Sequence, residues 1–459
     1  MLRRFRVLFN RMRLRALVRR RVPQPVLEVL RGLEATGHQA FLVGGCVRNL
    51  LLGRTPTDWD VTTSAPAEEV LGMFPRTHPT GIRHGTVLVL AGEHHSAHKL
   101  EVTTFRGQAG GVEEDLLARD FTIGALGLDL RGSLIDPAGG LTDLMAGIVR
   151  GTADPEKRLS EDPLRTMRAI RIAAQLRFRI EPATFEGVCR ISPRLPEVAI
   201  ERIRDELSKA LISPWPGFAL GQFWQAGILS VILPELLEGV GMEQNRHHAH
   251  TVWEHTLIAT SQIPPVLHLR LAAVFHDIAK PRCLSVEGGD RHFYNHETVG
   301  ADLTRQILRR LRFDLDTVHR VVHLVRHHMS LHLDPVMSDA AIRRMLVRVG
   351  RENIPDLLEL RRADRIASGK KEGDLSAGTI HILEKMKRIL QEEQAMGLKD
   401  LALDGLDVMA VAKVPAGPMV GVILNQLLAE VSEEPSRNCR EYLERRIIEL
   451  AGPERDRGD

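Results

Sequence analysis

Hydrophobic residues follow two different spacings along this chain. Between about residues 25 and 150, helical spacing alternates with short apolar runs typical of strands. From about residue 155 onward the spacing is helical only. The pattern predicts a helix at 25–36, strands at 40–43, 59–63, 86–90 and 99–105, and later helices at 164–176, 202–211 and 218–229. We therefore expect an α+β protein, with an N-terminal α/β head followed by all-helical segments.

Interruptions in the pattern indicate where the domains end. Gly and His residues break it at 239–250, a polar stretch follows at 369–373, and a Pro-Ala-Gly-Pro turn separates two helices at 415–418. A chain of 459 residues exceeds one compact core, so roughly two to four folded domains are expected. The predicted segments are an arm at 1–24, a head at 25–152, a helical neck at 153–240, a histidine-rich domain at 241–370 and a helical tail at 371–459.

The overall composition is that of an ordinary soluble protein. Charged residues make up 26% of the chain and the net charge is +3. No segment reaches the roughly 20 apolar residues of a membrane span, so no membrane association is predicted. The four cysteines, which form no CxxC pair, are Cys46, Cys189, Cys283 and Cys439. They indicate reduced thiols and a cytoplasmic location.

The first 21 residues are strongly basic. They contain nine arginines and no acidic residue. Three interpretations stay open: a frayed basic tail, an arm that binds nucleic acid or a membrane surface, and a mitochondrial transit peptide. The lack of serine in this stretch argues against the third, because transit peptides are rich in serine.

Two carboxylates follow a Gly-Gly pair in the run LVGGCVRNLLLGRTPTDWD, residues 42–60. On the predicted strand, Asp58 and Asp60 project from one face because side chains alternate. They repel each other unless a cation lies between them, and Mg²⁺ binds hard oxygen ligands while leaving positions for substrate phosphates. Gly44-Gly45 allow backbone N–H groups to approach a phosphate at a helix N-terminus. The combination predicts phosphoryl or nucleotidyl transfer.

Other polar residues are candidates for the same site. Glu101, on a predicted neighbouring strand, offers a third carboxylate. Arg119-Asp120 and the stretch Arg83-His84-Gly85-Thr86 are candidates for ribose and phosphate contacts. Each of these is more often a structural ion pair when it stands alone.

Asp162 and Arg165 have the chemistry to read a base. They are three residues apart, so on a helix they share a face. The carboxylate of Asp162 would accept from the exocyclic amine of cytosine or adenine, and the guanidinium of Arg165 would donate to the adjoining ring nitrogen on the same Watson–Crick edge. Uracil and guanine reverse that order and would leave buried polar groups unpaired. The pair therefore predicts selection of C and A.

Successive motifs resemble those of bacterial tRNA nucleotidyltransferases, the CCA-adding enzymes related to poly(A) polymerases. The motifs are GGCVRNLLLG, DWDVTTSA, RHGTV, ARDFTIGAL, IDPAGGLTDL and EDPLRTMRAIRIAAQL, and the stretch from Leu401 resembles the family's tRNA-holding tail. The resemblance implies a nucleotidyltransferase head that uses Mg²⁺, CTP and ATP and acts on tRNA.

By this resemblance, residue roles follow position by position. Asp58 and Asp60 bind the metals, with Glu101 as a further catalytic carboxylate. The nucleotide-binding residues are Gly44, Gly45 and Arg48 for the triphosphate, Arg119 and Asp120 for the nucleotide, and Asp162 and Arg165 for the base, with Arg168 beside them. Asn49, Ala118 and Gly124 depart from the pattern, where Asp, Arg and Asn are usual.

A second series of residues has metal-ligand character. Twenty histidines are present, and they cluster between residues 247 and 332. Imidazole and carboxylate suit divalent metals. The spacing resembles the HD superfamily of metal phosphohydrolases, which implies an HD domain holding Mg²⁺, Mn²⁺, Ni²⁺ or Fe²⁺. The implied ligands are His255, His276, Asp277 and Asp364, with His296 and His327 completing a two-metal site and Lys280 contacting phosphate. His247, His248, His250, His268, His292, His319, His323 and His332 are expected to be structural or exposed.

Three functions are consistent with these residues. The leading hypothesis is template-independent addition or repair of the tRNA 3′ CCA end, with a second phosphohydrolase activity. An alternative in the same class is a poly(A) polymerase or an enzyme that adds only A. An alternative of another class is an HD phosphohydrolase whose head has become a non-catalytic RNA-binding module. The oligomeric state is not predicted.

Overall fold

The chain folds into two compact units, Met1–Ile232 and Leu233–Asp459, in a computed structural model. The structure describes residues 10–81, 85–92, 97–106, 111–246, 248–331, 337–369, 377–391 and 397–451. The first unit covers the predicted arm and head and the predicted neck as far as Ile232, and the second covers the last residues of that neck, the histidine-rich domain and the tail. The finer division into five segments stays a prediction.

The first unit begins with a basic helix and an α/β head. In chain order the elements are α1 (Arg11–Arg21), α2 (Gln24–Ala35), β1 (Ala40–Val43), α3 (Gly45–Leu51), β2 (Trp59–Thr63), α4 (Ala67–Met73), β3 (Thr77–Gly81), β4 (Thr86–Ala91), β5 (His98–Thr104), α5 (Val112–Leu117), β6 (Gly127–Leu128), β7 (Leu134–Ile135) and α6 (Gly140–Ala146). The four predicted strands and the first predicted helix are confirmed to within a residue.

A seven-stranded sheet organises the head, in the order β3-β4-β5-β2-β1-β6-β7. Strands β2 and β5 run parallel, and the other neighbouring pairs are antiparallel. Trp59, Val61, Leu100 and Val102 are buried at the centre of this sheet. Because β2 and β5 run parallel side by side, the polar residues in the first half of each strand lie together.

Helix α1 is packed against the head by its apolar residues. Leu14 and Val18 are buried, and so is Val22, which follows the helix. A Cβ at Gly132, in the turn between β6 and β7, would overlap the backbone of Arg11 and Arg15. This close approach fixes the described part of the basic segment on the folded head.

Helices complete the first unit. They are α7 (Pro155–Glu161), α8 (Leu164–Leu176), α9 (Pro182–Ile191), α10 (Ile200–Leu211), α11 (Pro216–Gln225) and α12 (Ile228–Ile232). The prediction of one helix over 218–229 is wrong: Gly227, with φ of +74°, ends α11 and lets α12 start in a new direction. A short parallel pair joins β8 (Ile148–Val149), at the end of the head, to β9 (Arg179–Ile180), which lies in the region predicted to be free of strands.

The second unit is mostly helical. Its elements are α13 (Val252–Gln262), α14 (Leu267–Phe275), β10 (Leu284–Glu287), β11 (Asp290–Phe293), α15 (His296–Arg310), α16 (Leu315–His327), α17 (Asp339–Val349), α18 (Ile354–Ala367), α19 (Ala377–Gln391), α20 (Gly405–Ala412), α21 (Pro418–Glu433) and α22 (Arg440–Ala451). The tail has its own apolar cluster, with Val408, Leu427, Val431, Leu443 and Ile447 fully or nearly fully buried.

The hairpin β10–β11 corrects the prediction of an all-helical HD domain. Glu287 pairs with Asp290, so Gly288 and Gly289 form a two-residue turn. Both glycines have positive φ, of 58° and 83°, which is the geometry that such tight hairpins require. The α+β class itself is confirmed.

Candidate functional site

The three predicted carboxylates of the head come together where β2 and β5 lie side by side. Asp58 stands directly before β2, and Asp60 is its second residue. In the parallel register Asp60 is the partner of Glu101. Residues paired across neighbouring strands present their side chains on the same face. All three side chains line one cavity of about 700 Å³.

Asp60 is the most buried member of this group. A Cβ at Gly44 would lie 3.0 Å from both Asp60 Oδ2 and Arg119 Nη1, so the glycine allows the backbone to approach them. Gly44 also has φ of +72°, which favours glycine. Burial raises the pKa of the Asp60 carboxyl to about 6; Glu101 and Asp58 add to the shift and Arg119 opposes it. The three carboxylates form a donor set that fits a divalent cation. When bound, the cation would displace the proton that the raised pKa favours on Asp60.

Arg48 brings a buried positive charge into the same cavity. Its hydrogen bonds among the described residues go to the neutral Asn49 Oδ1, at 3.2 and 3.3 Å. Burial lowers its pKa to about 10, and the nearby Arg171 adds to the shift. A buried guanidinium without a carboxylate partner is costly, and a phosphate group supplies the missing charge. Arg48 and the start of the helix after Gly44 thus form a cationic wall whose charge suits an anion.

Helices α8 and α10 close the opposite side of the cavity. Arg168 Nη1 donates to Asp120 Oδ2 at 2.8 Å. Burial would raise the pKa of Asp120, but Arg168 outweighs it and holds the carboxyl below its ordinary range. Glu206 lies 2.5 Å from Arg171 Nε and 3.8 Å from Arg168 Nε. This network fixes the guanidinium groups that face the cavity.

Several cavity residues were not predicted from the sequence. They are Lys99, Glu206 and Lys209. Glu206 and Lys209 are three residues apart on one face of α10, as a helical wheel indicates. Nothing in the sequence places α10 against the head, so that spacing alone does not identify a site.

Asp162 and Arg165 do not pair with each other. Asp162 follows α7 and accepts from Arg202 Nη2 at 2.7 Å. Arg165 donates to Glu161 Oε2 at 2.8 Å and to the Arg158 carbonyl at 2.6 Å. Neither residue lines the described cavity, although Arg165 acts electrostatically on Asp120. Base reading by this pair stays a prediction.

The other predicted contacts have mixed outcomes. Gly45 and Arg119 line the cavity, and so does Gly124, where a Cβ would meet only Asp120 Oδ1 at 3.9 Å. Arg83 and His84 lie outside the described residues.

The second unit contains a buried cluster of imidazoles around Asp277. Oδ2 of this carboxylate lies 3.2 Å from His276 Nε2 and 3.4 Å from His255 Nε2. Oδ1 faces the other way, 3.5 Å from His296 Nε2 and 3.9 Å from His328 Nε2. Each oxygen of this one carboxylate thus faces a separate pair of imidazoles. This is the arrangement of a ligand that bridges two metal ions. Asp364 Oδ1 completes the first set, 3.2 Å from His255 Nε2.

Hydrogen bonds fix which nitrogen of each ring faces the centre. His276, His296 and His328 place Nδ1 at 2.9, 2.7 and 2.7 Å from backbone carbonyls. A carbonyl only accepts, so Nδ1 carries the proton and each neutral ring aims the Nε2 lone pair inward. His296 Nε2 and His328 Nε2 are 3.2 Å apart. Two facing lone pairs repel unless a proton or cation lies between them, so this donor set fits a bound metal.

The cluster contains His328 and not the predicted His327. His328 is buried, and burial lowers its pKa well below the ordinary value, which favours the neutral ligand form. The ring of His327, one residue earlier, lies against that of His323, tilted by 50° with the centroids 4.5 Å apart. Consecutive residues at a helix end point about 100° apart, so only one of the two reaches Asp277. The prediction of His327 as a ligand is therefore not supported by its position.

Two further residues adjoin the cluster. Lys280 Nζ lies 2.7 Å from Asp277 Oδ2 and donates to Gln244 Oε1 at 2.6 Å. His248, expected to be structural or exposed, forms a possible metal-binding group with His255 and Asp364. The predicted His247 and His332 lie outside the described residues.

A smaller cavity of about 270 Å³ opens onto this cluster. Besides the ligand candidates it is lined by Phe293 and Tyr294 at the end of the β10–β11 hairpin. The rings of His292 and Tyr294 are parallel within 4°, with centroids 5.4 Å apart. The site therefore has an acidic and imidazole floor and an aromatic rim.

The geometry of the first unit places this protein in the class of nucleotidyltransferases. A model of the poly A polymerase head domain matches residues 40–150, one described as a probable RNA and SrmB-binding site of polymerase A matches 177–239, and the HD domain model matches 246–369. These matches agree with the two sites found in the two units.

Full-length relatives narrow the class to one family. The A-adding tRNA nucleotidyltransferase of Deinococcus radiodurans is 36% identical over 84% of this chain and 90% of its own length. The CC-adding tRNA nucleotidyltransferase of Thermus thermophilus is 35% identical over 87% and 91%. The crystal structure of the Bacillus stearothermophilus CCA-adding enzyme in complex with CTP has a TM-score of 0.69 and 27% identity, covering 93% of this chain and 96% of that one. The chain belongs to the tRNA nucleotidyltransferases, and it is an enzyme of that family.

Among the described residues, no helix is both long and apolar enough to cross a membrane.

Proposed function

We propose that this enzyme adds or repairs the 3′-terminal CCA of tRNA, using CTP and ATP with Mg²⁺. The observation that carries the proposal is the cavity in which Asp58, Asp60 and Glu101 face Arg48. Carboxylates suit a divalent ion, and the buried guanidinium suits the triphosphate that comes with it. This pairing of charges is what nucleotidyl transfer requires.

Each residue of the cavity has a distinct task in this reaction. Asp58 and Asp60 would hold Mg²⁺, which polarises the triphosphate and lowers the pKa of the attacking hydroxyl when bound. Arg48 and the backbone N–H groups after Gly44 bind the triphosphate. The Arg168–Asp120 ion pair positions the nucleotide against the carboxylates.

Base selection is assigned to Asp162 and Arg165. Both side chains are engaged by charged neighbours: Asp162, in the extended link after α7, pairs with Arg202, and Arg165, in the first turn of α8, pairs with Glu161. An incoming cytosine or adenine would exchange these ion pairs for hydrogen bonds to its own edge. Since exposed ion pairs contribute about 0–1 kcal/mol, the exchange is energetically accessible.

The direct test is extension of a tRNA that lacks its CCA end. Purified enzyme with Mg²⁺, CTP and ATP should add three nucleotides, Asp60→Asn should add none, and Asp205→Asn, which changes an exposed carboxylate on α10, should behave as wild type. Absence of extension by the wild-type enzyme would overturn the proposal.

The number of nucleotides added separates the alternatives in this class. The two relatives described above carry names for A addition and CC addition at nearly equal identity. Substrates ending at the discriminator base, at C and at CC should each be extended by the proposed enzyme. Extension of the CC substrate alone identifies an A-adding enzyme, and a long A tract identifies a poly(A) polymerase.

We further propose a metal-dependent phosphohydrolase activity in the HD domain. It is supported by Asp277, whose two oxygens address separate histidine pairs. The probes are RNA oligonucleotides ending in a 3′-phosphate or a 2′,3′-cyclic phosphate, supplied with Mg²⁺, Mn²⁺, Ni²⁺ or Fe²⁺. Hydrolysis should require His276 and Asp277 and should survive Asp60→Asn. If hydrolysis persists in His276→Ala and Asp277→Asn, the assignment is wrong.

The remaining alternative makes the HD domain the sole activity. It predicts that Asp60→Ala cells grow like wild type, because the head would then act only in RNA binding. A growth defect rescued by wild-type protein excludes it.

A further inference from the structure

Helix α1 carries a dense positive charge that no acidic side chain neutralises in the part of the chain that the structure describes. Arg11, Arg13, Arg15, Arg19, Arg20 and Arg21 are all exposed, and the helix contains no acidic residue. Within the described residues, none of these six guanidinium groups forms an ion pair or a hydrogen bond. The helix lies outside the ranges that the three family models match.

The positive charges are held on a folded support. Leu14 and Val18 are 2% and 1% exposed, and the close approach at Gly132 fixes the helix against the β6–β7 turn. Asn10 caps the first turn by accepting from the Arg13 N–H at 2.9 Å. A docked helix presents its charges without the entropy cost of ordering a tail.

The packing also decides between two kinds of anionic partner. A helix that lies in a membrane surface inserts its apolar face among the lipids. Here the apolar face is already buried against the head, and the outward face carries Arg13 and Arg20, seven residues apart and therefore aligned. The exposed surface of α1 also includes Met12 and Ala16, but its six arginines dominate it, and a surface this rich in guanidinium groups fits a phosphate backbone.

We propose that α1 is a binding surface for the RNA phosphate backbone, which extends the grip of the head on tRNA. The contact is sequence-independent, because guanidinium groups on an exposed face reach phosphates and not base edges. The proposal rests on tRNA being the substrate, and it assigns to α1 a role in binding and not in the transfer step.

The test measures tRNA affinity as a function of salt. The variant Arg13→Gln/Arg15→Gln/Arg19→Gln/Arg20→Gln keeps residues of good helix propensity, and Leu14 and Val18 stay in place. Each lost phosphate contact should reduce the slope of log K against log[salt] by about 0.7–0.9, so the loss of four contacts should reduce it by about 2.8–3.6. Affinity near 0.1 M salt should fall roughly 10- to 100-fold, with kcat unchanged at saturating tRNA.

A matched control comes from the HD domain. Arg305→Gln/Arg326→Gln removes two half-buried charges that are paired with the exposed Asp302, and it is compared with Arg13→Gln/Arg20→Gln. The control should leave the slope unchanged. Equal slopes for the two double variants would overturn the proposal, provided that their melting temperatures match the wild type.

Two further measurements separate the possible failures. Binding is measured in an Asp60→Asn background, so it does not depend on turnover. If the parent protein binds tRNA and the α1 variants bind equally well, only the α1 proposal fails; if the parent does not bind tRNA, the proposed function fails too. Flotation with phosphatidylserine vesicles that depends on the α1 arginines, with an unchanged tRNA slope, assigns the helix to a membrane surface instead.

Discussion

The two candidate sites use acidic residues in opposite ways. In the head, three carboxylates lie at the side of a roughly 700 Å³ cavity whose other walls are cationic. In the HD domain, one buried carboxylate lies between four imidazoles, and backbone carbonyls hold the outer nitrogens of three of them, His276, His296 and His328. The first site leaves much of its charge for a large anionic substrate to balance. The second is nearly complete before any substrate arrives, which predicts metal affinity that is high and independent of nucleotide.

The largest expected effect is loss of one activity without the other. Asp58→Asn removes a carboxylate from the head only, so nucleotide addition should fall by about 10³-fold or more while HD hydrolysis is unchanged. Both activities are measured on one protein preparation. Equal loss of both would show that the two sites do not act separately.

The reciprocal change is Asp277→Asn. It removes the carboxylate that faces both histidine pairs, so we expect loss of bound metal, measured by elemental analysis, and loss of hydrolysis. Addition of nucleotides should persist. Retention of two equivalents of metal would contradict the bridging role of Asp277.

The neighbouring histidines provide a matched pair of variants. His328→Ala removes an imidazole 3.2 Å from His296 and should weaken metal binding roughly 10- to 100-fold. His327→Ala removes a ring that contacts His323 outside the cluster and should leave metal affinity within about twofold. The reverse order of effects would restore the sequence-based choice of His327.

Arg48→Met tests the cationic wall of the first cavity. Losing a charge-assisted contact to phosphate should raise the KM for CTP and ATP by roughly 10- to 100-fold. Thermal stability should not fall, because the change removes a buried charge that has no carboxylate partner. A large drop in melting temperature would show that Arg48 has a structural role.

The smallest effect concerns pH. The raised pKa of Asp60, about 6, means that this carboxyl takes up a proton as pH falls from 7 to 5. Because the proton competes with the cation, the Mg²⁺ concentration for half-maximal addition should rise about tenfold per pH unit below about 6. The rate at saturating Mg²⁺ should recover. Failure of excess Mg²⁺ to restore the rate would contradict competition at Asp60.

Local periodicity accounts for what the sequence predicts well. The strands at Ala40–Val43 and Trp59–Thr63 and the helix Leu164–Leu176 were predicted with the observed bounds, since apolar residues recur there with a clear period. The carboxylates at Asp58 and Asp60 follow from the same strand. The missed hairpin at β10–β11 depends on a Gly-Gly turn that the pattern of a helical region conceals.

Tertiary packing accounts for the rest. Glu206 and Lys209 join the cavity only because α10 packs beside α8, and no local signal carries that information. The choice between His327 and His328 depends on where α16 ends and a tighter turn begins. A one-residue difference at a helix end is beyond the reach of sequence spacing.

The contact between α1 and Gly132 has a consequence for the solubility of shortened chains. A chain that starts at Pro23 retains every residue of both candidate sites, yet it uncovers the apolar surface that Leu14 and Val18 shield. Newly exposed apolar surface promotes self-association. Such a protein is therefore expected to aggregate, and its failure in an assay would not report on catalysis.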